Sequence, residues 1–437
     1  MRDALLDRDI VDIDITTDAR PEVIESVVRP WADAVWLQGQ RFGTVGCEKD
    51  GDRFEITTFR ADVYRPESRK PEVTFSDDIE TDLSRRDFTV NAMAIALDDP
   101  TGAGPQIVDP FDGLADLAAR RLRTPLAPEI SFEDDPLRML RAARFVTTLG
   151  FEPDPALVAA IEQMHERLKI VSAERVRDEL SKMIVAEDPS PGLWLCARTG
   201  LADEFLPELN AMRLEQDPIH RHKDVLAHTI AVVAKTSPRL RLRLSALLHD
   251  VGKPRTRGFG PQGVTFHHHE VVGARMARER MLALRYPSDL VEEVTKLVEL
   301  HLRFHTYRMG WTDSAVRRYV RDAGPLLDDL NELTRCDCTT RDARKAAALG
   351  KRMDELEERI AELREREELA KIRPALDGNR VMKFLGVPPG RIIGEALEYL
   401  LELRLDEGPM SEDEAYARLA EWARERGIEP PASASEG

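Results

Sequence analysis

The chain has few cysteines and few aromatic residues, and it lacks any long apolar segment. Among its 437 residues, 6% are aromatic. No run of 18 or more apolar residues occurs, so the sequence predicts no transmembrane helix and no membrane partner. Its four cysteines form neither a Cys-x-x-Cys pair nor a zinc spacing; they are Cys47, Cys196, Cys336 and Cys338. With no apolar stretch behind Met1 to act as a signal peptide, we expect reduced thiols in a cytoplasmic protein.

Excess positive charge is also missing. The formal net charge is −17, which argues against a broad nucleic-acid coat but leaves room for a local basic groove. Candidate backbone contacts to RNA are the basic stretches 239–243 and 344–352, although a charged helix face is more often only solvated. The chain is 42% hydrophobic, so it can build sizeable cores, and its length suggests roughly two to four domains.

The patterning divides the chain into a mixed region and a helical region. Residues 1–124 predict strands over 10–15, 41–47 and 53–60, the last two joined by a turn at Asp50-Gly51-Asp52, with a helix over 21–34. From about Glu133 the period is helical, and helices are predicted to begin at Asp134 or Asp135, before Pro136, and near Ser172. A charged helix over 344–371 carries an apolar stripe that could form a coiled-coil arm. Residues 430–437 are expected to be disordered.

Two aspartates, Asp12 and Asp14, lie two residues apart on a predicted strand, so their side chains share one face. Such a pair can hold hard divalent cations such as Mg²⁺, which prefer oxygen ligands. In an acidic protein the same pair also arises by chance at a solvated strand edge. Glu55 could be a third carboxylate, or an exposed residue paired with Arg53 or Arg60.

Four further stretches follow in order: Arg41–Val45, Phe54–Arg60, Arg85–Ala94 and Asp134–Phe145. With Asp12 and Asp14 they resemble the motifs of class II CCA-adding tRNA nucleotidyltransferases and bacterial poly(A) polymerases, over about residues 1–210. The resemblance implies an α/β polymerase-β-like nucleotidyltransferase head followed by an all-α neck and further helical segments. It also implies two-metal transfer of nucleotides to RNA 3′ ends, with Asp12, Asp14 and Glu55 as catalytic carboxylates and Mg²⁺ as the ion.

The resemblance also assigns a nucleotide site. Residues that can contact ribose and phosphate, with arginine forks suited to phosphate, are Arg2, Asp3, Arg85, Arg86, Asp87 and Asn91. For the pair Asp135 and Arg138, the resemblance implies selection of CTP and ATP by protein groups alone, although Asp135 could instead cap its helix. Arg141 and Arg144 continue this face and should meet phosphate or acidic side chains. Arg175 and its neighbours are expected to brace the pocket.

The family's first motif is a strand with a Gly-Gly turn before Val-Arg-Asp, and only Arg2 and Asp3 of it are matched here. That turn would bring backbone N–H groups to the triphosphate. Either the natural start lies upstream of Met1 or the head is impaired, and we favour an upstream start because the other motifs are intact.

A second set of residues lies in the middle of the chain. The adjacent pair His249 and Asp250, with His228 upstream and Asp337 downstream, resembles the HD-domain metal phosphohydrolases. These four imply a metal site, and mixed imidazole and carboxylate ligands suit Mn²⁺, Ni²⁺ or Co²⁺. A second ion could be held by His269 and His301, although His267 and His268 compete with His269 for that place. Lys253 could bind phosphate.

The sequence therefore predicts a head over 1–124, a neck over 125–213, an HD phosphohydrolase domain over 214–345 and a helical tail over 346–437. The predicted activity is CCA addition to tRNA from CTP and ATP, coupled to phosphohydrolysis of damaged RNA ends. Three alternatives remain: a poly(A) polymerase, an RNA-binding phosphohydrolase without transferase activity, and a non-catalytic RNA-binding protein. The sequence leaves the oligomeric state open.

Overall fold

The structure is a computed structural model that describes residues 1–10, 13–65, 68–97, 104–214, 224–260, 263–306, 310–338, 343–367 and 372–428. Asp12 and the predicted disordered end, 430–437, lie outside the described residues. The chain divides into two compact units. The first contains residues 1–234, 238–240 and 279–287, and the second contains residues 235–237, 241–278 and 288–437. In the described ranges no helix is long and apolar enough to cross a membrane.

The strands up to residue 153 are short. They are β1 (Ile13–Thr17), β2 (Ala34–Trp36), β3 (Thr44–Lys49), β4 (Asp52–Thr58), β5 (Arg60–Arg65), β6 (Ser68–Phe75), β7 (Ala94–Ala96), β8 (Gln106–Val108), β9 (Arg121–Leu122) and β10 (Glu152–Pro153). The main sheet has the order β1-β4-β3-β2, with β1 parallel to β4 and the other pairs antiparallel. The predicted β3–β4 hairpin is confirmed. Asp50 and Gly51 at its turn both have positive φ, as a tight two-residue hairpin turn requires.

Helices make up most of the remaining chain as far as residue 235. They are α1 (Arg2–Leu5), α2 (Pro21–Val28), α3 (Ile79–Ser84), α4 (Gly113–Ala118), α5 (Pro128–Asp134), α6 (Leu137–Leu149), α7 (Pro155–Met164), α8 (Ala173–Ile184), α9 (Ser190–Arg198), α10 (Pro207–Ala211) and α11 (Val225–Lys235). Helix α6 packs against α8 and α9 through residues such as Met139, Ala143 and Leu180, which are almost fully buried. This packing holds α6, which carries most of the stretch Asp134–Phe145, against two other helices.

One predicted helix boundary is wrong and two predicted helix starts agree with the structure. The helix expected over 21–34 ends at Val28, and residues 34–36 form β2 instead. Arg29 keeps helical dihedral angles, but Pro30 has no backbone N–H to continue the hydrogen-bond ladder, so the helix stops there. The helix predicted to begin at Asp134 or Asp135, before Pro136, has its cap at Asp135: that residue is extended, its side chain accepts from Leu137 N–H, and the assigned helix runs from Leu137. The helix predicted near Ser172 is confirmed, with Ser172 as the residue before α8.

The elements after residue 239 are helices and one hairpin. They are α12 (Leu240–Leu248), α13 (Lys253–Thr256), β11 (Arg257–Gly260), β12 (Gly263–Phe266), α14 (His269–Ala283), α15 (Ser288–Leu300), α16 (Arg303–Thr306), α17 (Asp313–Ala323), α18 (Leu327–Asp337), α19 (Ala343–Arg366), α20 (Gly378–Leu385), α21 (Arg391–Glu407) and α22 (Glu412–Glu425). The long charged helix is α19, and it packs against α17 and α18. Its apolar stripe is therefore core and not a coiled-coil seam, with Met353, Leu356 and Leu363 at 0–1% exposure.

The basic stretch 239–243, predicted to contact RNA, is internal at one end only, since Arg239 is exposed. Arg243 is buried and donates to the carbonyls of Thr236 and Ser237. Arg241 pairs with Asp329 at 2.5 Å and with Glu293 at 3.0 Å. The prediction is therefore wrong for Arg243, because its guanidinium serves the fold of the second unit.

Candidate functional sites

The sheet of the first unit places two carboxylates side by side. Asp14 on β1 is the in-register partner of Glu55 on β4, and both side chains are exposed. Paired residues on neighbouring parallel strands point to the same face of a sheet. Arg53, one of the predicted alternative partners of Glu55, forms its ion pair with Glu48. The strand pairing thus brings Glu55 to the face that Asp14 occupies, which the sequence left open.

A buried aspartate that we did not identify in the sequence holds two arginines of the stretch Arg85–Ala94. Asp82 on α3 is fully buried, and its Oδ1 accepts from Nε and Nη2 of Arg85 at 3.1 and 2.6 Å. Its Oδ2 accepts from Arg86 at 3.4 Å and from the Thr16 hydroxyl of β1 at 3.3 Å. Asp82 therefore ties both arginines to the strand that carries Asp14. The spacing of Asp82 from Arg85 and Arg86, three and four residues along the chain, was the available signal.

Asp87 and Asn91 form a second polar group. The Asp87 carboxylate accepts from the Asn91 amide at 2.9 Å and from Nη2 of Arg141 at 2.5 Å. Burial alone would raise the pKa of Asp87, but the Arg141 guanidinium and the Asn91 hydrogen bond outweigh it, so the pKa is lowered. On the other side, Arg2 donates to Asn91 Oδ1 at 2.5 Å and pairs with Asp3 at 2.8 Å. These predicted nucleotide-binding residues lie together in one network.

Arg141 and Arg144 of α6 were predicted to contact either phosphate or acidic side chains, and in the structure both contact an acidic side chain. Glu179 on α8 is 4% exposed, and it accepts from Arg141 at 3.3 Å and from Arg144 at 2.5 Å. The Arg144 guanidinium also lies 4.0 Å from the centroid of the Phe145 ring. Glu179 was missed because it lies on the apolar face of α8 with Leu180, where a carboxylate is unexpected.

Asp135 and Arg138 do not form a free pair. Oδ1 of Asp135 accepts from the backbone N–H of Leu137 at 3.2 Å, and its carboxylate pairs with Arg175 at 2.6 Å. Arg138 is 8% exposed and donates to the Ser131 hydroxyl at 2.9 Å and to the Arg85 carbonyl. Both side chains are thus bonded to other protein groups near the start of α6.

The second unit brings together three of the four residues of the predicted metal site: His249, Asp250 and Asp337. His249, directly after α12, is fully buried. Its Nε2 lies 3.2 Å from Oδ2 of Asp250 and 3.4 Å from Oδ1 of Asp337, the last residue of α18. Lys253 donates to Asp250 Oδ2 at 2.7 Å. His228 lies on α11, in the first unit, and stays a predicted ligand.

Asp250 extends the group to two further histidines. Its Oδ1 lies 3.5 Å from Nε2 of His269, which in turn lies 3.2 Å from Nε2 of His301. The ligand atoms of these three buried residues are close enough to share one ion. His267 and His268 are exposed, so the structure selects His269 from the three consecutive histidines. Asp250 therefore faces histidines with both of its oxygens.

The tautomers of the three imidazoles follow from backbone contacts. Nδ1 of His249, His269 and His301 lies 2.8, 2.8 and 2.6 Å from a carbonyl oxygen, which can only accept. Each Nδ1 is therefore the donor, so in the neutral form of each ring the lone pair on Nε2 points toward the centre of the group. Lone pairs of His269 and His301 that face each other beside Asp250 need a cation or extra protons between them. The donor set fits a metal ion, with backbone carbonyls orienting the ligands.

The charges within the group shift its pKa values in opposite directions. Burial alone would lower the pKa of His249, but Asp250 and Asp337 raise it to about 10. Burial and the charge of His249 lower the pKa of His301 to about 3. The pKa of Asp250 is held well below its ordinary value, since His249 and Lys253 outweigh its burial. A strong negative field therefore acts on Nε2 of His249, where a cation would be favourable.

A glycine allows the two halves of this group to meet. A Cβ on Gly252 would lie 2.2 Å from the carbonyl oxygen of His269 and 2.7 Å from the backbone nitrogen of Gly273. Only a residue without a side chain lets the segment after Asp250 come this close to α14. The contact brings Asp250 beside His269.

Three family models match the chain in order. The Poly A polymerase head domain matches residues 1–123, and the model named "Probable RNA and SrmB- binding site of polymerase A" matches residues 150–213. The HD domain model matches residues 225–363. Together they account for the head, the neck and the histidine-rich segment.

Curated relatives match to different extents. The A-adding tRNA nucleotidyltransferase of Deinococcus radiodurans is 36% identical over 368 residues, which is 81% of each chain. The CC-adding tRNA nucleotidyltransferase of Thermus thermophilus is 33% identical over 360 residues, 79% of this chain and 77% of the relative. The CCA-adding enzyme of Lactobacillus gasseri is 39% identical over 205 residues, so the match spans about half of each protein.

Solved structures agree with these relatives. The CCA-adding enzyme of Bacillus stearothermophilus, solved with CTP, has a TM-score of 0.68 and 26% identity, and the match covers 98% of this chain and 92% of the neighbour. The Thermotoga maritima CCA-adding enzyme, solved with tRNA, has a TM-score of 0.57 at 21% identity, covering 96% of this chain and 89% of that one; this likeness shows the fold. The predicted fold class, a nucleotidyltransferase head followed by helical segments with an HD domain, is confirmed. The chain is therefore an enzyme of the tRNA nucleotidyltransferase family, with a poly(A) polymerase head and an HD domain in one polypeptide.

Proposed function

We propose that this chain adds CCA to the 3′ end of tRNA from CTP and ATP without a nucleic-acid template. In each step the RNA 3′-oxygen bonds to the α-phosphorus of the triphosphate, the bond to pyrophosphate breaks, and the hydroxyl proton passes to solvent. The observation that carries this proposal is the in-register placement of Asp14 and Glu55 on one exposed face of the sheet.

The carboxylates Asp12, Asp14 and Glu55 would hold Mg²⁺. Bound there, Mg²⁺ would lower the pKa of the RNA hydroxyl and neutralise the charge on the leaving pyrophosphate. Asp14 and Glu55 are free to reorient toward an ion because they are exposed and lie on strands fixed by backbone pairing. This arrangement joins a rigid scaffold to accessible ligands, as metal sites require.

The polar networks of the first unit would bind the nucleotide. We propose that the ribose and triphosphate contact Arg2, Asp3, Arg85, Arg86, Asp87 and Asn91, with Arg141 and Arg144 behind them. Asp82 and Glu179 are positioning residues, since they orient these arginines from buried places. Preorganised guanidinium groups favour phosphate binding because less side-chain entropy is lost on binding.

Base selection is proposed for Asp135 and Arg138. Cytosine and adenine each offer an amino donor next to a ring-nitrogen acceptor, which a carboxylate and a guanidinium can match. Here Asp135 is paired with Arg175, and Arg138 is bonded to Ser131 and to the Arg85 carbonyl. A bound base would share these side chains with their present partners or take over some of their bonds.

A second candidate function is partial addition, of CC alone or of the final A alone. The observation that favours it is that the A-adding and CC-adding relatives match over about four fifths of this chain. The CCA-adding relative of Lactobacillus gasseri matches over about half of it.

One assay separates these functions. Three tRNAs, ending before CCA, after the first C, and after CC, are incubated with Mg²⁺ and with CTP, ATP or both. Addition of three nucleotides to the shortest tRNA supports CCA synthesis. Extension only of the tRNA ending in CC by one A, or only of the shortest tRNA by two C, supports partial addition. A long ladder with ATP alone indicates a poly(A) polymerase. Absence of any extension, with Asp14→Asn as the background control, would refute the transferase proposal.

The HD domain is proposed to be a metal-dependent phosphohydrolase that repairs RNA ends. Water opens a 2′,3′-cyclic phosphate to a monoester, or releases phosphate from a 2′- or 3′-phosphate and leaves a hydroxyl. A 3′-phosphate cannot attack a triphosphate, so removing it restores a substrate for the head. Residues proposed to hold the metal are His228, His249, Asp250 and Asp337, with His269 and His301 for a second ion.

The nature of the ligands supports Mn²⁺, Ni²⁺ or Co²⁺ over Mg²⁺ in this domain, since imidazole nitrogen suits transition metals. Such a metal would supply a nucleophilic water near neutral pH. Lys253 would approach the phosphate while it pairs with Asp250.

The proposed segments are the head over 1–124, the neck over 125–213, the HD domain over 214–345 and the tail over 346–437. We propose that the enzyme is cytoplasmic and meets tRNA, CTP and ATP there.

Hydrolysis of a 2′,3′-cyclic nucleotide, followed both as ring opening to the monoester and as phosphate release from that monoester, tests this second activity. We expect activity with Mn²⁺, Ni²⁺ or Co²⁺, none after chelation with EDTA, and none in the His249→Ala chain. Equal release by the wild-type and His249→Ala chains would refute it. Phosphate release without nucleotide addition would leave an RNA-binding phosphohydrolase as the function.

A further inference from the structure

The hairpin β11–β12 lies next to the proposed metal ligands of the second unit, Asp250 and His269. Lys253, four residues before β11, donates to Asp250 at 2.7 Å. The carbonyl of Phe266, the last residue of β12, accepts from Nδ1 of His269 at 2.8 Å. Both ends of the hairpin are therefore connected to the proposed metal ligands, which fixes its position relative to the site.

One aromatic side chain of this hairpin faces solvent. Phe259 is 77% exposed, although burying a side chain of its size would be favourable by roughly 1.5–3 kcal/mol. Its strand partner is Val264, two pairs away from the Arg257–Phe266 pair at the base of the hairpin. Two residues of strand cover about 7 Å, so Phe259 lies within one nucleotide of extended RNA from the base of the hairpin.

The charge around Phe259 is positive in an otherwise acidic chain. Residues 251–269 contain three basic residues, Lys253, Arg255 and Arg257, and no Asp or Glu, whereas the whole chain has a net charge of −17. Arg255 is exposed, and the Arg257 guanidinium lies 5.2 Å from the centroid of the Phe259 ring. An exposed aromatic ring with a guanidinium group beside it, in a segment of positive charge, is the arrangement that binds single-stranded nucleic acid, by base stacking and phosphate contacts.

We propose that this hairpin holds the single-stranded 3′ end of an RNA chain while its terminal phosphate lies at the metal group. The base next to the terminal nucleotide stacks on Phe259, and backbone phosphates contact Arg255 and Arg257. This inference rests on the proposed phosphohydrolase function and adds its substrate class. The preferred substrate is an oligonucleotide end, because a mononucleotide has no second base to reach Phe259.

The test compares two substrates in Phe259→Ala. One is a tetranucleotide ending in a 2′,3′-cyclic phosphate, and the other is 2′,3′-cyclic AMP, both with Mn²⁺. Loss of one stacked base predicts a fall in kcat/KM of about 5- to 150-fold for the tetranucleotide, mainly through KM, and no change for the mononucleotide. Phe259→Trp should restore activity. Ile392→Ala, which removes another exposed apolar side chain of the second unit, is the control. Equal effects of Phe259→Ala on both substrates would overturn the proposal.

A binding measurement separates this proposal from the phosphohydrolase proposal. If the wild-type chain hydrolyses neither substrate, the phosphohydrolase fails, and fluorescence anisotropy of a labelled RNA ending in a 3′-phosphate decides the hairpin by itself. Weaker binding by Phe259→Ala supports RNA docking. Unchanged RNA affinity overturns it, and unchanged affinity with an altered oligomeric state would assign Phe259 to a protein interface.

Discussion

Replacement of Gly252 by alanine should disable the metal group of the second unit. The new Cβ would lie 2.2 Å from the His269 carbonyl oxygen and 2.7 Å from the Gly273 nitrogen, both backbone atoms that no rotamer change can move away. To reach 3.0 Å, the two segments must separate by about 0.8 Å, since packed interiors leave no spare room. Metal–ligand distances tolerate about 0.2 Å. The added methyl group should also cost about 1–3 kcal/mol of stability through overpacking.

Two quantities are measured with Mn²⁺: metal affinity, by calorimetry, and the rate of hydrolysis of a 2′,3′-cyclic nucleotide. We expect Gly252→Ala to lose most of both while nucleotide addition, which uses residues of the first unit, continues. Gly350→Ala is the matched control, because its Cβ would meet no atom within 4 Å and alanine favours a helix interior. If Gly252→Ala binds Mn²⁺ as tightly as Gly350→Ala does, the argument that this close approach positions Asp250 beside His269 is wrong.

Three further predictions concern the first unit. Asp82→Asn removes the buried charge that holds Arg85 and Arg86. We expect the free energy of unfolding to fall by about 2 kcal/mol, measured by thermal unfolding, and the KM for CTP and ATP to rise. An unchanged KM would contradict the positioning role. Asp14→Asn should lower nucleotide addition about 10²- to 10³-fold with an unchanged melting temperature, because Asp14 is exposed and its proposed role is to hold Mg²⁺; a melting shift of the same size as in Asp82→Asn would contradict this. Because the folded-state pKa of Asp87 is lowered, its stabilising contribution is complete above its unfolded pKa of about 3.9 and is lost as the pH falls through the folded value. Unfolding measured from pH 6 down to pH 2 should therefore show a weaker pH dependence in Asp87→Asn than in the wild-type chain.

The fold was predictable where the signal was local. Asp50-Gly51 marked the β3–β4 hairpin because positive φ at both turn positions favours these residue types. The end of α2 was also readable, since Pro30 disfavours continuation of the helix, but we extended the helix to Ala34 on its apolar spacing. The stripe on α19 had the period of a core-facing helix and of a coiled coil alike, and only its packing against α17 and α18 distinguishes them.

The sites were predictable to the extent that their chemistry lies in side chains. His249, Asp250, His269 and Asp337 could be found because imidazoles and carboxylates stand out in a sequence. The tautomers of His249 and His269 depend on the carbonyls of Ala246 and Phe266. Residue identity does not show which backbone groups a side chain will contact. Asp82 and Glu179 were missed because residue identity does not show burial: the spacing of Asp82 from Arg85 and Arg86 allows ion pairs, but it does not single out these two of 80 acidic residues as buried among arginines.

The bonds of Asp135 and Arg138 restrict how a base could be selected. Arg138 donates to the carbonyl of Arg85, and Arg85 is held by Asp82, so the proposed base-reading arginine is linked to the proposed phosphate-binding arginine through the backbone. A base that draws Arg138 away would release that carbonyl, and a triphosphate that moves Arg85 would loosen Arg138. Base and triphosphate should therefore bind cooperatively. CTP should bind more tightly than the sum of the binding free energies of cytidine and pyrophosphate predicts, and Arg138→Lys, which cannot span Ser131 and the Arg85 carbonyl with a planar fork, should reduce that excess.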